Sequence, residues 1–294
     1  MPDGVRERLD GGLIPAVPVP FRGTALAADA QAAYAAWMAR QDVAGVAVWA
    51  HTGRGPHLTP AQRREVLATW RAALPGRIVI AGANSVAMAR EAGDLGADAV
   101  LALPRAEDPV GFHAALGEVL PVIAFYLYER AGGVAYDAAV LDRLLSLPPV
   151  IGIKVATLDS VMTFQRIADV VATHPDRLLV TGEDRFLGYS LLMGAHAALI
   201  GLGAAATGVQ AALLAARRAG AWARFVALAA ACDRFARATF REPMEGYVRR
   251  MLWAAAAEGA IPDDACGDPW GPPLAEAERD AVRRAVADAR AAGA

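Results

Sequence analysis

The sequence predicts a (β/α)8 barrel, the TIM-barrel fold, with a C-terminal helical extension. Short apolar strands alternate with longer Ala-rich helical stretches from the start of the chain to about residue 218. This alternation is typical of βαβ units that share a parallel sheet. Eight such units within roughly 200 to 250 residues match the barrel. An open doubly wound sheet is the alternative architecture.

Eight segments are predicted as strands, and each is followed by a helix candidate. They are LIPAVPVPF from Leu13, GVAVWAHTG from Gly45, RIVIAGAN from Arg77, ADAVLALPR from Ala97, PVIAFYLYE from Pro121, VIGIKVAT from Val150, RLLVTGED from Arg177 and AALIGLG from Ala197. One helix signal is clear, because LTPAQRREVLATWRAAL offers Thr59 as N-cap and Pro60 at the first helical position.

The predicted barrel spans residues 1–218 and carries the active site, and residues 219–294 form the extension. Its helices are predicted up to Cys232, from Glu242 to Gly259, and from about Leu274 to the end. The Pro- and Gly-rich segment IPDDACGDPWGPP separates the last two. We interpret the extension as an appendage on the barrel and not as a separate catalytic domain.

Composition excludes several classes of partner. The net charge is −2 and the pI is near 6.2, so the chain has no excess of positive charge with which to bind nucleic acid or anionic lipid. Cys232 and Cys266 lie far apart and fit no metal spacing. The segment MPDGVRERLDGG lacks the apolar core of a signal peptide. We therefore expect a cytoplasmic protein.

The stretch from Phe186 to Ala216 contains no formal charge and is long enough to resemble a membrane span. Tyr189, His196, Gln210 and five glycines interrupt it. A buried helix, strand and helix are the better interpretation.

The strand VIGIKVAT carries Lys154, the only lysine among 29 Lys plus Arg residues. Burial among Ile151, Ile153 and Val155 disfavours the ammonium form and lowers the pKa, which leaves a free amine able to attack a carbonyl. The alternatives are a lysine paired with a buried carboxylate or one that extends to the rim.

Polar residues cluster where the predicted strands end, which is where barrel active sites lie. These residues are His51, Thr52, Arg54, Asn84, Tyr126, Tyr128, Lys154, Glu183 and Asp184.

Five segments carry a family resemblance. IPAVPVPF, AHTGRGPHL, GIK, TGED and ALIGLG occur in this order along the chain. The chain resembles the dihydrodipicolinate synthase / N-acetylneuraminate lyase superfamily over nearly its whole length. The resemblance implies that Lys154 forms a Schiff base with a 2-oxo acid such as pyruvate. It also implies a homo-oligomer, either a dimer or a tetramer, and it implies no cofactor.

The resemblance assigns further roles. The family has a tyrosine on the fifth strand, 28 positions before the lysine, which shuttles protons, and Tyr126 lies at that separation. Tyr128 is the rival, and Tyr126 as a plain core residue beside Phe125 is the other alternative. Thr52 and Gly53 match the turn that grips the substrate carboxylate. Ile200 and Gly201 match the strand that presents backbone groups to the pyruvate pocket.

Two residues of the strand-two turn depart from the family pattern. His51 stands where a hydroxyl residue usually joins the proton relay; an imidazole can relay protons near neutral pH, or can simply fill space as a hydrogen-bonded side chain. Arg54 replaces a glutamate and can pair with a second substrate carboxylate or with an internal acid.

Two more departures concern the synthase reaction. Counting from Tyr126 to Lys154 puts Ala131 where the synthases carry an arginine for the second substrate, with Arg130 one position away. Arg105 and Ala106 replace the aromatic pair that follows the strand-four proline. We therefore do not expect dihydrodipicolinate synthase activity.

Other motifs are weak. GLGAAATG, from Gly201, superficially fits a dinucleotide fingerprint, but no acidic residue follows about 20 positions on to bind a ribose. The five histidines show no metal-binding spacing with carboxylates, so no metal is implied.

The predicted function is that of a class I, Schiff-base lyase or aldolase, or a dehydratase, which acts on pyruvate or a 2-keto-3-deoxy sugar acid. The alternative is a catalytically lapsed barrel that binds a 2-oxo acid as a sensor or partner module.

Overall fold

Eight parallel strands form a barrel in the computed structural model, which describes residues 2–293. The strands are β1 Leu13–Pro15, β2 Gly45–Val48, β3 Ile78–Ala83, β4 Ala99–Ala102, β5 Val122–Leu127, β6 Val150–Ala156, β7 Leu178–Thr181 and β8 Ala197–Ile200. Each of these strands pairs with its neighbour in the chain, β8 pairs with β1, and a bridge between Ala16 and Ala47 joins β1 to β2. The predicted TIM barrel is confirmed.

Nine helices belong to the barrel within the described residues. They are α1 Pro2–Leu9, α2 Ala28–Met38, α3 Pro60–Ala73, α4 Val86–Asp94, α5 Pro109–Gly117, α6 Ala138–Leu145, α7 Val161–Ala172, α8 Leu187–Leu192 and α9 Thr207–Arg218. Thr59 caps α3 as predicted, because its hydroxyl accepts from Gln62 N–H at 3.2 Å and the Gln62 side chain accepts from Thr59 N–H at 2.9 Å. A small hairpin of Phe21–Arg22 and Ala25–Leu26 follows β1.

The extension consists of α10 Trp222–Thr239, α11 Tyr247–Ala257 and α12 Ala277–Gly293. The first of these runs past the predicted end at Cys232, and the second begins five residues after Glu242. Helix α10 packs against α9 and α12, so the extension is joined to the barrel. The division at residue 218 falls at the end of α9.

The uncharged stretch from Phe186 folds as the predicted helix, strand and helix, which are α8, β8 and α9. No helix in residues 2–293 is both long enough and apolar enough to cross a membrane. Strand β1 is much shorter than LIPAVPVPF, because Pro18 and Pro20 have no N–H to donate to a sheet.

Side chains alternate between two apolar layers. One set fills the barrel interior and includes Ile14, Ile80, Leu101, Phe125 and Leu199. The other set packs beneath the helices. Along β5, Ile123, Phe125 and Leu127 point inward, whereas Val122, Ala124 and Tyr126 point outward.

The pairing of β5 with β6 contains a bulge that decides which residues face each other. Val122 pairs with Val150, but the next residue, Ile123, pairs with Gly152. Ile151 is therefore an extra residue on β6. Beyond the bulge, partners lie 29 positions apart in place of 28, so Phe125 pairs with Lys154.

Candidate active site

Lys154 lies inside the barrel on β6 and is only 5% exposed. Its Nζ stands 4.3 Å from the centroid of the Phe125 ring. Burial lowers the pKa of Lys154 to about 8, while the nearby carboxyl groups of Asp184 and Glu183 oppose that shift. Within residues 2–293 no carboxylate oxygen comes within 4.0 Å of this amine, so the expected alternative of a paired lysine is not what the structure contains.

The TGED turn after β7 makes room for this side chain. A Cβ on Gly182 would stand 2.6 Å from Lys154 Cε, so any larger residue would displace the lysine. The two acids of the turn bind backbone groups. Glu183 accepts from Thr157 N–H at 2.6 Å, and Asp184 accepts from Leu202 N–H at 2.7 Å.

Burial also acts on these acids. It raises the pKa of Glu183 to about 8 and that of Asp184 to about 7, although backbone donors favour both carboxylates. Lys154 and Asp184 thus both titrate near neutral pH. A proton can therefore reside on either group, a property that is typical of functional sites.

A chain of polar side chains lines the opposite wall. Tyr247 Oη donates to Thr52 Oγ1 at 3.1 Å and lies 3.1 Å from His51 Nδ1. His51 Nε2 lies 3.4 Å from a carboxylate oxygen of Glu245. Burial lowers the pKa of His51 to about 4, and the positive charges of Arg54 and Lys154 act in the same direction against Glu245. The imidazole is therefore neutral at pH 7.

Arg54 binds internal acids. Its guanidinium contacts Glu245 at 2.7 Å and Asp268 at 2.8 and 3.3 Å. Its φ of 51° lies in the left-handed region, which costs an L-residue about 1 to 2 kcal/mol. The two ion pairs hold it there, so of the two expected partners the internal acid is the one observed.

Two adjoining cavities meet at His51. The inner one surrounds Lys154 and is lined by Thr52, Phe125, Tyr128, Asp184, Gly201 and Tyr247 among others. The outer one has a volume of about 380 Å³, and its polar lining includes Arg54, His57, Asn84, Arg130 and Glu245.

The structure brings five of the eight predicted site residues to these cavities: His51, Thr52, Arg54, Lys154 and Gly201. Gly53 lies in the same turn, where a Cβ would stand 3.0 Å from Val17 O. Ile200 is not placed as expected. Its side chain packs in the outer layer and its carbonyl accepts from Ala16 N–H at 2.9 Å, so that oxygen is used by the sheet.

Tyr126 is a correction. Its ring points away from Lys154 and packs edge-on against Tyr136, with ring centroids 6.3 Å apart. The cause is the bulge at Ile151, because a one-residue shift exchanges the two faces of a strand. Phe125, which has no hydroxyl, occupies the inward position, and the rival Tyr128 lines the inner cavity.

The same shift moves the expected arginine. Ala131 lies five positions after Tyr126, and five positions after Phe125 is Arg130. Arg130 lines the outer cavity with its side chain 70% exposed, and it lies 3.7 Å from Asp159 and 3.8 Å from Glu242. The expectation that this rim lacks an arginine was therefore wrong.

Sequence reasoning missed Tyr247, Glu245 and Asp268. All three come from the extension, about 190 to 215 positions after the turn that they contact. No motif or periodicity in EPMEGY marks them.

The segment GLGAAATG does not form a phosphate-binding loop in this structure, since the Leu202 N–H within it already donates to Asp184. Residues 2–293 contain no group of three or more His, Cys, Asp or Glu side chains that could hold a metal ion.

A barrel with one buried, inward-facing amine on its sixth strand is the architecture of the Schiff-base aldolase and lyase superfamily, and comparisons with known proteins agree. The profile of the dihydrodipicolinate synthetase family matches residues 10–289. The chain belongs to this family.

Several relatives share part of the sequence. A 4-hydroxy-tetrahydrodipicolinate synthase from Phenylobacterium zucineum (strain HLK1) is 31% identical over 172 residues, which cover 53% of this chain and 58% of that protein. The corresponding synthase from Anaeromyxobacter dehalogenans (strain 2CP-C) is 27% identical over 87% of this chain and 91% of its own length. An uncharacterized DapA-like lyase from Chloroflexus aurantiacus is 28% identical over 66% of this chain and 70% of that protein.

Solved structures share the fold. N-acetylneuraminate lyase from Mycoplasma synoviae has a TM-score of 0.78 at 20% identity and covers 96% of this chain and 98% of that one. The E. coli K12 prophage protein YagE, of the dihydrodipicolinic acid synthase family and solved with pyruvate, has a TM-score of 0.82 at 21% identity, covering 95% and 98%.

Proposed function

We propose that this protein is a class I, Schiff-base lyase or aldolase, or a dehydratase, that acts on a 2-oxo acid. One observation carries the proposal: the only lysine of the chain is buried inside the barrel, and its pKa is lowered to about 8. The amine attacks the carbonyl carbon, water leaves, and the resulting iminium accepts the electron pair of the adjacent bond as that bond breaks. The product of this step is an enamine.

The turn after β2 is suited to the substrate carboxylate. Within the described part of the chain, the N–H groups of Thr52 and Gly53 donate to no protein acceptor. The Thr52 hydroxyl lines the same cavity as Lys154. We propose that the two N–H groups bind the carboxylate and thereby hold the 2-oxo group against the amine.

The outer cavity is suited to the remainder of a 2-keto-3-deoxy sugar acid. Its volume of about 380 Å³ and its polar residues His57, Asn84 and Arg130 match a short chain of hydroxyl groups. Pyruvate, the product of cleavage, would lie in the inner cavity next to Lys154. The relatives named as lyases and the neighbour solved with pyruvate support this substrate class.

We still do not propose dihydrodipicolinate synthesis. The absence of an arginine at the rim no longer argues against it, because Arg130 lines the outer cavity. Two grounds remain. The aromatic pair after Pro104 is absent, and Phe125 supplies no hydroxyl beside Lys154. A coupled assay with pyruvate and aspartate semialdehyde should give negligible product, and efficient turnover would refute the exclusion.

The second candidate is a lapsed barrel that binds a 2-oxo acid without turnover. Phe125 favours it, because the inward position of β5 carries no proton-transfer group. A lapsed barrel would bind or trap pyruvate but would never exchange its methyl protons or cleave a keto-deoxy acid.

Borohydride trapping tests the leading proposal. The protein is incubated with a panel of 2-oxo acids, pyruvate included, reduced, and weighed by intact mass spectrometry. We expect one stable adduct in the wild type and none in Lys154→Ala or Lys154→Arg. Absence of any adduct across the panel would refute Schiff-base chemistry.

We propose the cytoplasm as the compartment and a homo-oligomer as the assembly, with no nucleic-acid or membrane partner. The net charge of −2 supports the absence of polyanionic partners.

A further inference from the structure

The Lys154 site has a reactive amine but lacks the phenol that its family carries on the fifth strand. Phe125 fills that position and places only a ring face 4.3 Å from Nζ. Enamine formation requires a group that removes a proton from carbon and a group that returns it. The wall formed by Thr52 and Tyr247 offers hydroxyl groups for that function.

Three side chains on the opposite wall form a continuous hydrogen-bonded path. Thr52 Oγ1, Tyr247 Oη and His51 Nδ1 are joined by two contacts of 3.1 Å. His51 Nε2 lies 3.4 Å from Glu245 Oε1, an oxygen that is itself buried. The path therefore starts at the cavity of Lys154 and leads to the Glu245 carboxylate.

Packing holds the Tyr247 phenol in this position. Its ring stacks on the Phe240 ring, with the two ring centroids 4.6 Å apart. The His51 ring also stacks on the Tyr247 ring, with a centroid separation of 6.0 Å. Gly201 completes the fit, because a Cβ there would stand 3.2 Å from Thr52 Oγ1 and 3.3 Å from Tyr247 Cε2. The phenol is thus fixed next to the turn that faces the substrate.

We propose that Thr52, Tyr247 and His51 form the proton relay of the Lys154 site, and that Tyr247 of the C-terminal extension supplies the phenol that β5 lacks. This inference rests on the proposed Schiff-base function.

The relay moves one proton from the substrate carbon to Glu245, and each bond that breaks is matched by one that forms. The C–H bond beside the iminium breaks, its electron pair forms the enamine C=C bond, and the iminium π pair moves onto nitrogen. The two hydroxyl protons first rotate, so that Thr52 donates to Tyr247 and Tyr247 donates to His51 Nδ1. Thr52 Oγ then takes the proton and passes its own to Tyr247 Oη, which passes its own to His51 Nδ1. The Nε2 proton of His51 moves to Glu245. Return of a proton to the enamine carbon reverses each transfer.

The electrostatics of the wall agree with this role. Burial holds the pKa of Tyr247 well above its ordinary value, so the phenol stays protonated and conducts a proton without becoming a resting phenolate. His51 is neutral, with one N–H and one lone pair, as a relay requires. Tyr128 lines the same cavity, but its hydroxyl bonds no other side chain within residues 2–293.

Two readouts separate the relay from imine formation. Borohydride trapping with pyruvate reports the imine, and loss of the pyruvate methyl signal in D2O, followed by proton NMR, reports enamine formation. We expect Tyr247→Phe to keep the trapped adduct and to slow exchange by about 10² fold or more, the range for general acid–base groups. Tyr126→Phe is the matched control and should exchange at the wild-type rate.

His51→Gln provides a second variant in case Tyr247→Phe folds poorly. Its amide can still bond the phenol but cannot relay a proton, so we again expect trapping without fast exchange. The relay is refuted if Tyr247→Phe or His51→Gln exchanges within about twofold of wild type, or if Tyr128→Phe alone abolishes exchange. A wild type that forms no adduct at all refutes the proposed function, and the relay with it.

Discussion

At the scale of single residues, the lowered pKa of Lys154 is the net result of opposing electrostatic effects. Burial disfavours the ammonium, and the carboxyl groups of Asp184 and Glu183 favour it. Burial prevails, so the pKa falls to about 8. At pH 7 roughly a tenth of the protein then carries a free amine, against well under a thousandth for an ordinary lysine.

This balance predicts a pH dependence. Because the amine must lose its proton to attack, the initial rate of imine formation should rise as pH increases towards 8 and level off above it. Asp184, with a pKa of about 7, becomes negative in the same range and favours the ammonium, which makes the rise shallower. Stopped-time borohydride trapping at a series of pH values measures this rate. A rate that is constant or falling between about pH 6 and 8 would contradict the assigned pKa.

At the scale of elements, the sequence predicts the strands well but leaves the facing of β5 undetermined. VIAFYLYE is apolar or aromatic at almost every position, so no alternation between polar and apolar residues marks its inward face. The facing depends on the bulge at Ile151 of β6, and nothing in VIGIKVAT marks a bulge beyond one glycine. Counting positions to Lys154 therefore selected Tyr126 when Phe125 faces the amine.

Because Tyr126 points away from the barrel interior, two substitutions of it should give different results. Tyr126→Phe should leave imine trapping and methyl exchange within about twofold of wild type, since the residue is remote from both cavities. Tyr126→Ala should lower the free energy of unfolding by about 3 to 5 kcal/mol, as a truncated buried aromatic does. Urea denaturation measures the second effect. A large loss of exchange in Tyr126→Phe with unchanged stability would mean that Tyr126 faces the site.

At the scale of the whole molecule, the rim of the candidate site is built from both parts of the chain. The sequence identifies the barrel, the amine and the β2 turn because each is a local pattern. It does not reveal that Glu245, Tyr247 and Asp268 return to that turn, because contacts across about 200 residues leave no local signal. Arg54 joins the two parts through its ion pairs with Glu245 and Asp268.

The buried ion pair between Arg54 and Asp268 should contribute strongly to stability. Asp268 is 2% exposed and binds Arg54, which is also buried. Asp268→Asn leaves this cation with only the partly exposed Glu245 as its counter-charge, and it should lower the free energy of unfolding by about 3 kcal/mol. Asp264→Asn is the matched control. It removes an exposed ion pair with Arg22 and should change stability little.

Urea denaturation of both variants, with Arg54→Met and the double mutant Arg54→Met/Asp268→Asn, completes the cycle. The double mutant should be more stable than the sum of the single changes predicts. Equal stability losses for Asp268→Asn and Asp264→Asn would contradict the role assigned to the buried pair.

The central claim is that Lys154 forms an imine and then an enamine with a 2-oxo acid. The most direct measurement is peptide mapping after incubation with pyruvate in D2O and reduction with borohydride. We expect one modified peptide, the one that contains Lys154, in which the deuterium content of the adduct methyl group increases with incubation time. An adduct on any other residue, no adduct, or an adduct on Lys154 that never gains deuterium would contradict it.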